Sequence, residues 1–442
     1  MIQKKKVEIG IKRFCVLLIL LLGAKHAHGQ LGFCTGSNGA PIFIENFGSG
    51  TTYGPSLPPG VTNYTFVNSG FPNDGQYTLY NRTNLIPNSW HFSLDRTPDN
   101  EPDGNNGKCL IVNASNTPGQ FYRRIVTGLC SNTRFEFSAW LLNIYNSSSG
   151  ACSGSGIPIN VTFEIWDETD SILLRSGNTG NIAGTPNPIW NQFGLVFTMP
   201  AGQTSVILKM RNNGVGGCGN DLAIDDILFR ACGESSTIVN TELTGNSMSI
   251  CQNGPILHPN LEVITSGTIS HVYQWQQSTD NIIFTDIPNE NNSTYTIPNI
   301  TNTTYYRVKV AQDIAHLNNP FCSTFSEIYS VLFVPLPNAG TSNGDQRFCY
   351  NQETYLSVSV QTDETVNWYD SSTNGNLLLA NSTTFSTQTI GTYYAETINT
   401  LTGCSSSIRT PVSLLPPITV TYSGSTILCS NSNLSIFLSA TD

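Results

Sequence analysis

The 442-residue chain sets 20 Lys and Arg against 30 Asp and Glu, a formal net charge of −10, and only 11% of its residues are charged. An acidic chain without clustered positive charge does not hold nucleic acid through its phosphates, so nucleic acid is excluded as a partner. Asn, Ser, Thr and Gly supply the polarity, which suits exposed sheets and loops in an extracellular medium.

The first element in chain order is not part of a fold. Lys4, Lys5, Lys6, Lys12 and Arg13 precede the apolar run FCVLLILLLGA, and the small residues of AHG follow. That order predicts a secretory signal peptide over residues 1–29. The run is too short for a bilayer anchor, and Cys15 has no lipobox of small residues ahead of it. No second hydrophobic span follows, so the cleaved chain is expected to be secreted or at the cell surface, with no transmembrane segment. Export makes disulfides the default for its cysteines. No CxxC pair and no Cys/His cluster has zinc spacing.

Beyond residue 30, short β-branched and aromatic runs such as RFEFSAWLL, INVTFEIWD, FGLVFTM, SVILKMRN, YYRVKV and YLSVSV alternate with Gly, Asn, Pro and Ser clusters. The expected class is all-β. Residues 30–233 hold enough such runs for a two-sheet jelly-roll sandwich. They also hold Cys34, Cys109, Cys130, Cys152, Cys218 and Cys232. Of the fifteen possible connectivities, the preferred one joins Cys34 to Cys232 across the first and last strands, Cys109 to Cys130 and Cys152 to Cys218.

Within this region RFEFSAWLLN places Trp140 on the polar face of a strand, where it can stack on a sugar ring or pack under a crossing loop. Trp90 and Tyr122 are further ligand-binding candidates, with Trp166 and Trp190 in comparable settings. FEIWDETD brings Glu164, Asp167, Glu168 and Asp170 together, and paired carboxylates are what glycoside hydrolysis needs. Asp167 and Asp170 instead fit the tip of a hairpin. His91, His258, His271 and His316 are scattered, and no Ser/His/Asp or HExxH arrangement can be built from them. No catalytic residue is assigned, and the expectation is a protein that is not an enzyme.

The region closes with GNDLAIDDILFRAC, Gly219 to Cys232. Uniform alternation puts Leu222, Ile224, Asp226 and Leu228 on one face and Ala223, Asp225, Ile227 and Phe229 on the other. Both faces are mostly apolar, so the two carboxylates need partners. Together with FIENFGSGT, WHFSLDRT and GKCLIVNAS, this strand resembles MAM-like and carbohydrate-binding jelly rolls. The resemblance implies adhesion or glycan binding. It also implies a structural calcium held by Glu45 with Asp225 or Asp226, and Asp95 as a further candidate. Such oxygen-rich convergence suits a hard cation. The alternative is that the Asp pair accepts backbone or Arg hydrogen bonds with no metal.

Two similar segments follow. Residues 238–335 contain Cys251, YQWQQSTDN around Trp275, TTYYRVKV and Cys322; residues 338–415 contain Cys349, VNWYDSSTNG around Trp368, GTYYAET and Cys404. Proline-flanked VPLP and LLPP end the two copies, and residues 418–442, with Cys429, read as the opening of a third copy. The W…TYY…C pattern resembles the Ig-like repeats of large surface proteins of Bacteroidetes, many of which are gliding-motility-associated and exported by type IX secretion. A core Trp and a late-strand Tyr belong to that sandwich. The late position of the second cysteine predicts a bridge within each copy, from the opening strand to the final hairpin. The expected whole is a jelly-roll head on an Ig-like stalk, binding an extracellular glycan or surface protein. A carbohydrate-active hydrolase head and a purely structural spacer are the alternatives.

Overall fold

The computed structural model describes residues 31–96, 106–252, 254, 258–267, 270–298, 300–349, 352–423 and 437–441, with backbone alone for 419–423 and 437–441. Residues 1–29, expected to be a signal peptide, and Cys429 lie outside the described residues.

Eleven strands build the first unit: β1 (Asn38–Glu45), β2 (Thr65–Phe66), β3 (Gln76–Tyr80), β4 (Cys109–Asn113), β5 (Gly119–Val126), β6 (Arg134–Asn143), β7 (Ile159–Trp166), β8 (Leu173–Ile182), β9 (Asn191–Thr198), β10 (Val206–Asn212) and β11 (Leu222–Cys232). β7 shows why they form. Ile159, Val161, Phe163 and Ile165 are buried, and the intervening Asn160, Thr162, Glu164 and Trp166 are not. A period of two is what a strand with one covered face requires. One sheet runs β2-β3-β4-β11-β6-β9 with β1 also on β11; the other runs β5-β10-β7-β8. They close on a core containing Phe121, Phe135, Phe137, Phe163 and Phe229. Each such side chain contributes about 1.5–3 kcal/mol by leaving water. This is the jelly-roll sandwich.

β11 departs from the expected alternation. Leu222 and Ile224 face the core, and so do Ile227, Phe229 and Ala231. The phase slips by one residue at Asp226, whose φ is 49°, where the register with β6 jumps between Asp225 and Leu228. A bulge inserts one residue and re-aims its neighbours. Ala223 and Asp225 therefore point away from the core, and Ala223 joins a second apolar cluster of Trp90, Cys109, Ile111, Leu142 and Ile144.

Two Ig-like sandwiches follow. In the first, Ser236–Asn240, Asn260–Thr265 and Thr294–Thr296 face a sheet of Ser247–Cys251, Tyr329–Val334, Thr304–Ala311, Val272–Ser278 and Thr285–Asp286. In the second, Thr341–Ser342, Tyr355–Ser359 and Thr384–Ser386 face Gln346–Arg347, Thr410–Leu415, Gly391–Asn399, Glu364–Tyr369 and Leu377–Leu379. Trp275 and Trp368 are fully buried in the two cores. Each indole N–H is satisfied by a backbone carbonyl at 2.9 Å, of Asn292 and Ser382 respectively. Beyond them Thr419–Ser423 pairs with Phe437–Thr441. Among the described residues no helix is long and apolar enough to cross a membrane.

The disulfides require correction. Cys34–Cys232 and Cys152–Cys218 are joined as expected, but Cys130 bonds Cys322 and Cys251 bonds Cys404. Cys109 and Cys349 are free thiols. Cys109 opens β4 and is buried in the outer apolar cluster, whereas Cys130 sits in the turn between β5 and β6. Within the first Ig-like unit Cys251 lies beside Val334, the last residue of Tyr329–Val334, while Cys322 precedes that strand. Its 6 residues separate the two cysteines by roughly 20 Å at about 3.3 Å per residue, against the roughly 7 Å that a bridge tolerates between Cα atoms. The second unit is built alike, so Cys349 and Cys404 are kept apart in the same way.

The head and the first Ig-like unit are closely fitted. Asn319 Nδ2 donates to Gly128 O at 2.9 Å, and Phe321 packs on the head's core. Gly233 makes room for Thr324, since a Cβ there would stand 2.6 Å from Thr324 Oγ1.

Candidate functional site

The predicted metal ligands divide between two faces of one sheet. Asp225 is fully buried and pairs across β6 with Trp140. Its Oδ2 accepts from Arg96 N and its Oδ1 from Asp226 N, both at 2.8 Å. Burial outweighs these bonds, and with the charges of Asp226 and Asp95 nearby it pushes the carboxyl up to about 8. Asp95 packs against Gly107, where a side chain would collide with its carboxylate. Cys109 lies within the field of Asp225 and Asp95, and burial first, then those charges, raises its thiol.

Glu45 does not join this group. It stands opposite Ile227, which faces the core, and its Oε2 reaches Arg124 Nη1 on the other sheet at 3.3 Å. Among the described residues no three His, Cys, Asp or Glu side chains are close enough to hold a metal ion. The calcium set expected from Glu45, Asp95, Asp225 and Asp226 is thus not assembled by the described side chains.

Two of the three aromatic candidates are covered, and the third lines a cleft. Trp140 lies on the outer face of the larger sheet under the Arg96 guanidinium, 4.1 Å from the ring centroid, so the crossing-loop alternative describes it. Trp90 is buried, and its Nε1 donates to Asp221 Oδ2 at 3.1 Å. Asp221 is itself raised to about 7 by burial. Tyr122 is buried in the core below a cleft of about 340 Å³ lined by Glu45, Leu57, Pro58, Val61 and Arg124. Burial raises its phenol.

A different surface gathers the polar chemistry: the outer face of β5-β10-β7-β8. Cross-strand register sets its side chains in rows. Ile125, Ile207 and Trp166 form one row, Arg123, Lys209 and Glu164 the next, and Arg211, Thr162 and Asn178 a third. Trp166 Nε1 donates to Glu164 Oε2 at 2.7 Å, which fixes the indole, and Lys209 Nζ lies 4.6 Å from the ring centroid. At the hairpin tip Asp170 pairs with Lys209 and, at 3.6 Å, with Arg123. Asp167 accepts Ile172 N at 2.8 Å, the Thr169 hydroxyl and Ser171 N at 2.7 Å, and these bonds, that from Ile172 first, hold its carboxyl below the usual range. The acidic run therefore makes a turn and orients a tryptophan. Farther along, Asn178 Nδ2 donates to Asn160 Oδ1 at 2.6 Å and Thr162 Oγ1 at 2.9 Å, and Asn213 Nδ2 donates to Asn160 Oδ1 at 3.2 Å. The result is a partly buried indole with Lys209 against one face of its ring, beside a field of amides, hydroxyls and opposite charges. Trp166 was readable from INVTFEIW, whose alternation puts it on the polar side with Asn160, Thr162 and Glu164.

Fold and surface together define a multidomain all-β protein whose head presents a polar, aromatic-bearing sheet. Residues 337–415 match a family described as an Ig-like domain, CHU_C associated. Residues 240–328 match a domain of unknown function, DUF8696. No curated protein matches the chain. Among solved structures, an apo-form cyclase from Fischerella sp. is 12% identical over 43% of this chain and 95% of its own, with a TM-score of 0.30. The CBM22-1–CBM22-2 tandem domain of Paenibacillus barcinonensis Xyn10C is 10% identical over 67% of this chain and 91% of its own, TM-score 0.24. The four-domain ICAM-5 ectodomain fragment is 11% identical over 49% and 67%, TM-score 0.21.

Proposed function

We propose that the protein is a non-catalytic surface binding protein whose head holds an extracellular glycan on the outer face of β5-β10-β7-β8. The observation that carries this reading is Trp166, oriented by Glu164 beside Lys209, with Arg211, Thr162 and Asn178 two rows farther along the same face. An indole offers an apolar face to the C–H side of a sugar, while amides, hydroxyls and charged groups can exchange hydrogen bonds with its hydroxyls. The Ig-like units act as the stalk. Export through the signal peptide over 1–29 agrees with the disulfides, which persist in oxidising surroundings. Display by a gliding-motility-associated, type IX route is the finer form of this proposal. The calcium proposal drops Glu45 and keeps Asp225, where a cation completed by backbone carbonyl oxygens would hold the carboxylate ionised against its burial.

The test is binding of the exported chain to a polysaccharide panel, with reducing-sugar release followed in parallel. Retention on a polysaccharide without sugar release, lost in Trp166→Ala and kept in Trp140→Ala, supports the reading. Sugar release would make the head a hydrolase. Binding that survives Trp166→Ala would move the site off this face.

A further inference from the structure

The two Ig-like units carry their cysteines at opposite poles. In the first, Ser247–Cys251 runs parallel to Tyr329–Val334, so Cys251 stands at the downstream pole, where the chain leaves. Cys322 lies in the turn before Tyr329–Val334, at the upstream pole, where the chain arrives. In the second, Gln346–Arg347 runs parallel to Thr410–Leu415, which sets Cys349 at the downstream pole, and Cys404 precedes Thr410–Leu415 at the upstream one. The local backbone repeats too. Gln252 N donates to Val334 O and Phe348 N to Leu415 O, each at 2.9 Å. Gly254 N donates to Cys251 O at 2.9 Å and Gln352 N to Cys349 O at 3.3 Å.

One rule describes both bridges that cross a joint. A cysteine at the downstream end of one unit bonds the upstream-pole cysteine of the next: Cys130 with Cys322, then Cys251 with Cys404. Cys349 is the next member of this series, and it is exposed with a free thiol. The backbone beyond it begins another unit. Thr421 pairs with Ser439 in the hairpin of Thr419–Ser423 and Phe437–Thr441, as Thr341 pairs with Ser359 in the second unit.

We infer that Cys349 is the bonding position for the upstream-pole cysteine of a third Ig-like unit built on that hairpin, so that each joint carries one bridge. The oxidant is a disulfide-donating thiol oxidoreductase. The Cys349 thiolate attacks the donor's disulfide, giving a mixed disulfide and releasing one donor thiolate. The incoming cysteine's thiolate then displaces the second donor sulfur. One protein S–S bond forms and one donor S–S bond breaks. Two electrons and the two thiol protons end on the donor, now a dithiol.

The test appends to the full chain the remainder of an Ig-like unit. Residues 363–417 are appended after Asp442, supplying a counterpart of Cys404, and a second version appends residues 267–337, supplying one of Cys322. Each is oxidised with glutathione disulfide, alkylated under native conditions, and mapped by mass spectrometry of non-reduced peptides. In the 442-residue chain Cys349 takes the alkyl label. In an extended chain whose added unit resists proteolysis, that label is lost, and Cys349 is found bonded to the appended cysteine. Cys349→Ser then leaves the appended cysteine labelled. The inference is overturned if Cys349 stays labelled beside a protease-resistant added unit, or if the appended cysteine bonds Cys429 instead.

Discussion

Asp225→Asn in the head gives a direct measure of what the buried carboxylate costs. An aspartate in the unfolded chain ionises near pH 3.9, and Asp225 ionises near 8 in the fold because burial disfavours its charge. The folded state thus keeps a proton that the unfolded state gives up. The stability this contributes is complete below pH 4 and is lost as pH rises through about 8. At about 1.4 kcal/mol per unit, the loss across that window is roughly 6 kcal/mol as an upper bound. In a domain of this size that lowers the melting temperature by about 10 to 20 °C. Asp221, raised to about 7, adds a decline of the same sign. Calorimetry from pH 5 to 9 in chelator should therefore show a falling melting temperature, with Asp225→Asn removing the larger part of the slope and Asp221→Asn a smaller part. Calcium bound at Asp225 would favour the ionised form and flatten the wild-type curve. A wild-type curve already flat in chelator, or an Asp225→Asn slope equal to wild type, refutes the argument. A slope that calcium leaves untouched ends the calcium proposal.

Three further outcomes are expected. Trp166→Ala should weaken glycan binding by about 2 kcal/mol, roughly 30-fold, while Trp140→Ala, beneath Arg96, changes affinity little; equal losses in an equilibrium binding assay would contradict the assignment. Cys322→Ser opens a loop of 192 residues, for which chain entropy gives about 5 kcal/mol; unfolding should shift accordingly and protease cut faster near residue 234, and an unchanged pattern would show that packing alone holds the joint. Cys109, buried with a raised thiol pKa, should react with iodoacetamide only as the head unfolds in denaturant, so labelling of the native protein would contradict its placement.

Local order was legible in the sequence; long-range order was not. The alternation in INVTFEIW, the buried Trp275 and Trp368, and closure of the head by Cys34 and Cys232 all follow from residues near one another or at a unit's ends. The slip at Asp226 was hidden, because a positive φ at a non-glycine residue leaves no compositional mark. Glu45 and Asp225 then fell on opposite faces. Proximity in sequence also misdirected Cys130 toward Cys109, because the pole at which a cysteine sits depends on strand direction in the finished sheet. Trp140 looked open for the same reason: Arg96, which covers it, arrives from a segment more than one strand away.

The series of bridges also dictates how the molecule carries tension. A pull between Cys34 and the far end of the chain does not run through the polypeptide in order. It crosses Cys34–Cys232, a sequence separation of 198, follows the short run to Cys251, and crosses to Cys404 over a further 153. The residues enclosed by those two bridges lie off the loaded path, so most of both sandwiches and nearly all of the head bear no tension. The outer face of β5-β10-β7-β8 keeps its shape under shear, and the residues enclosed by the bridges add length under load only after a reductant has opened one.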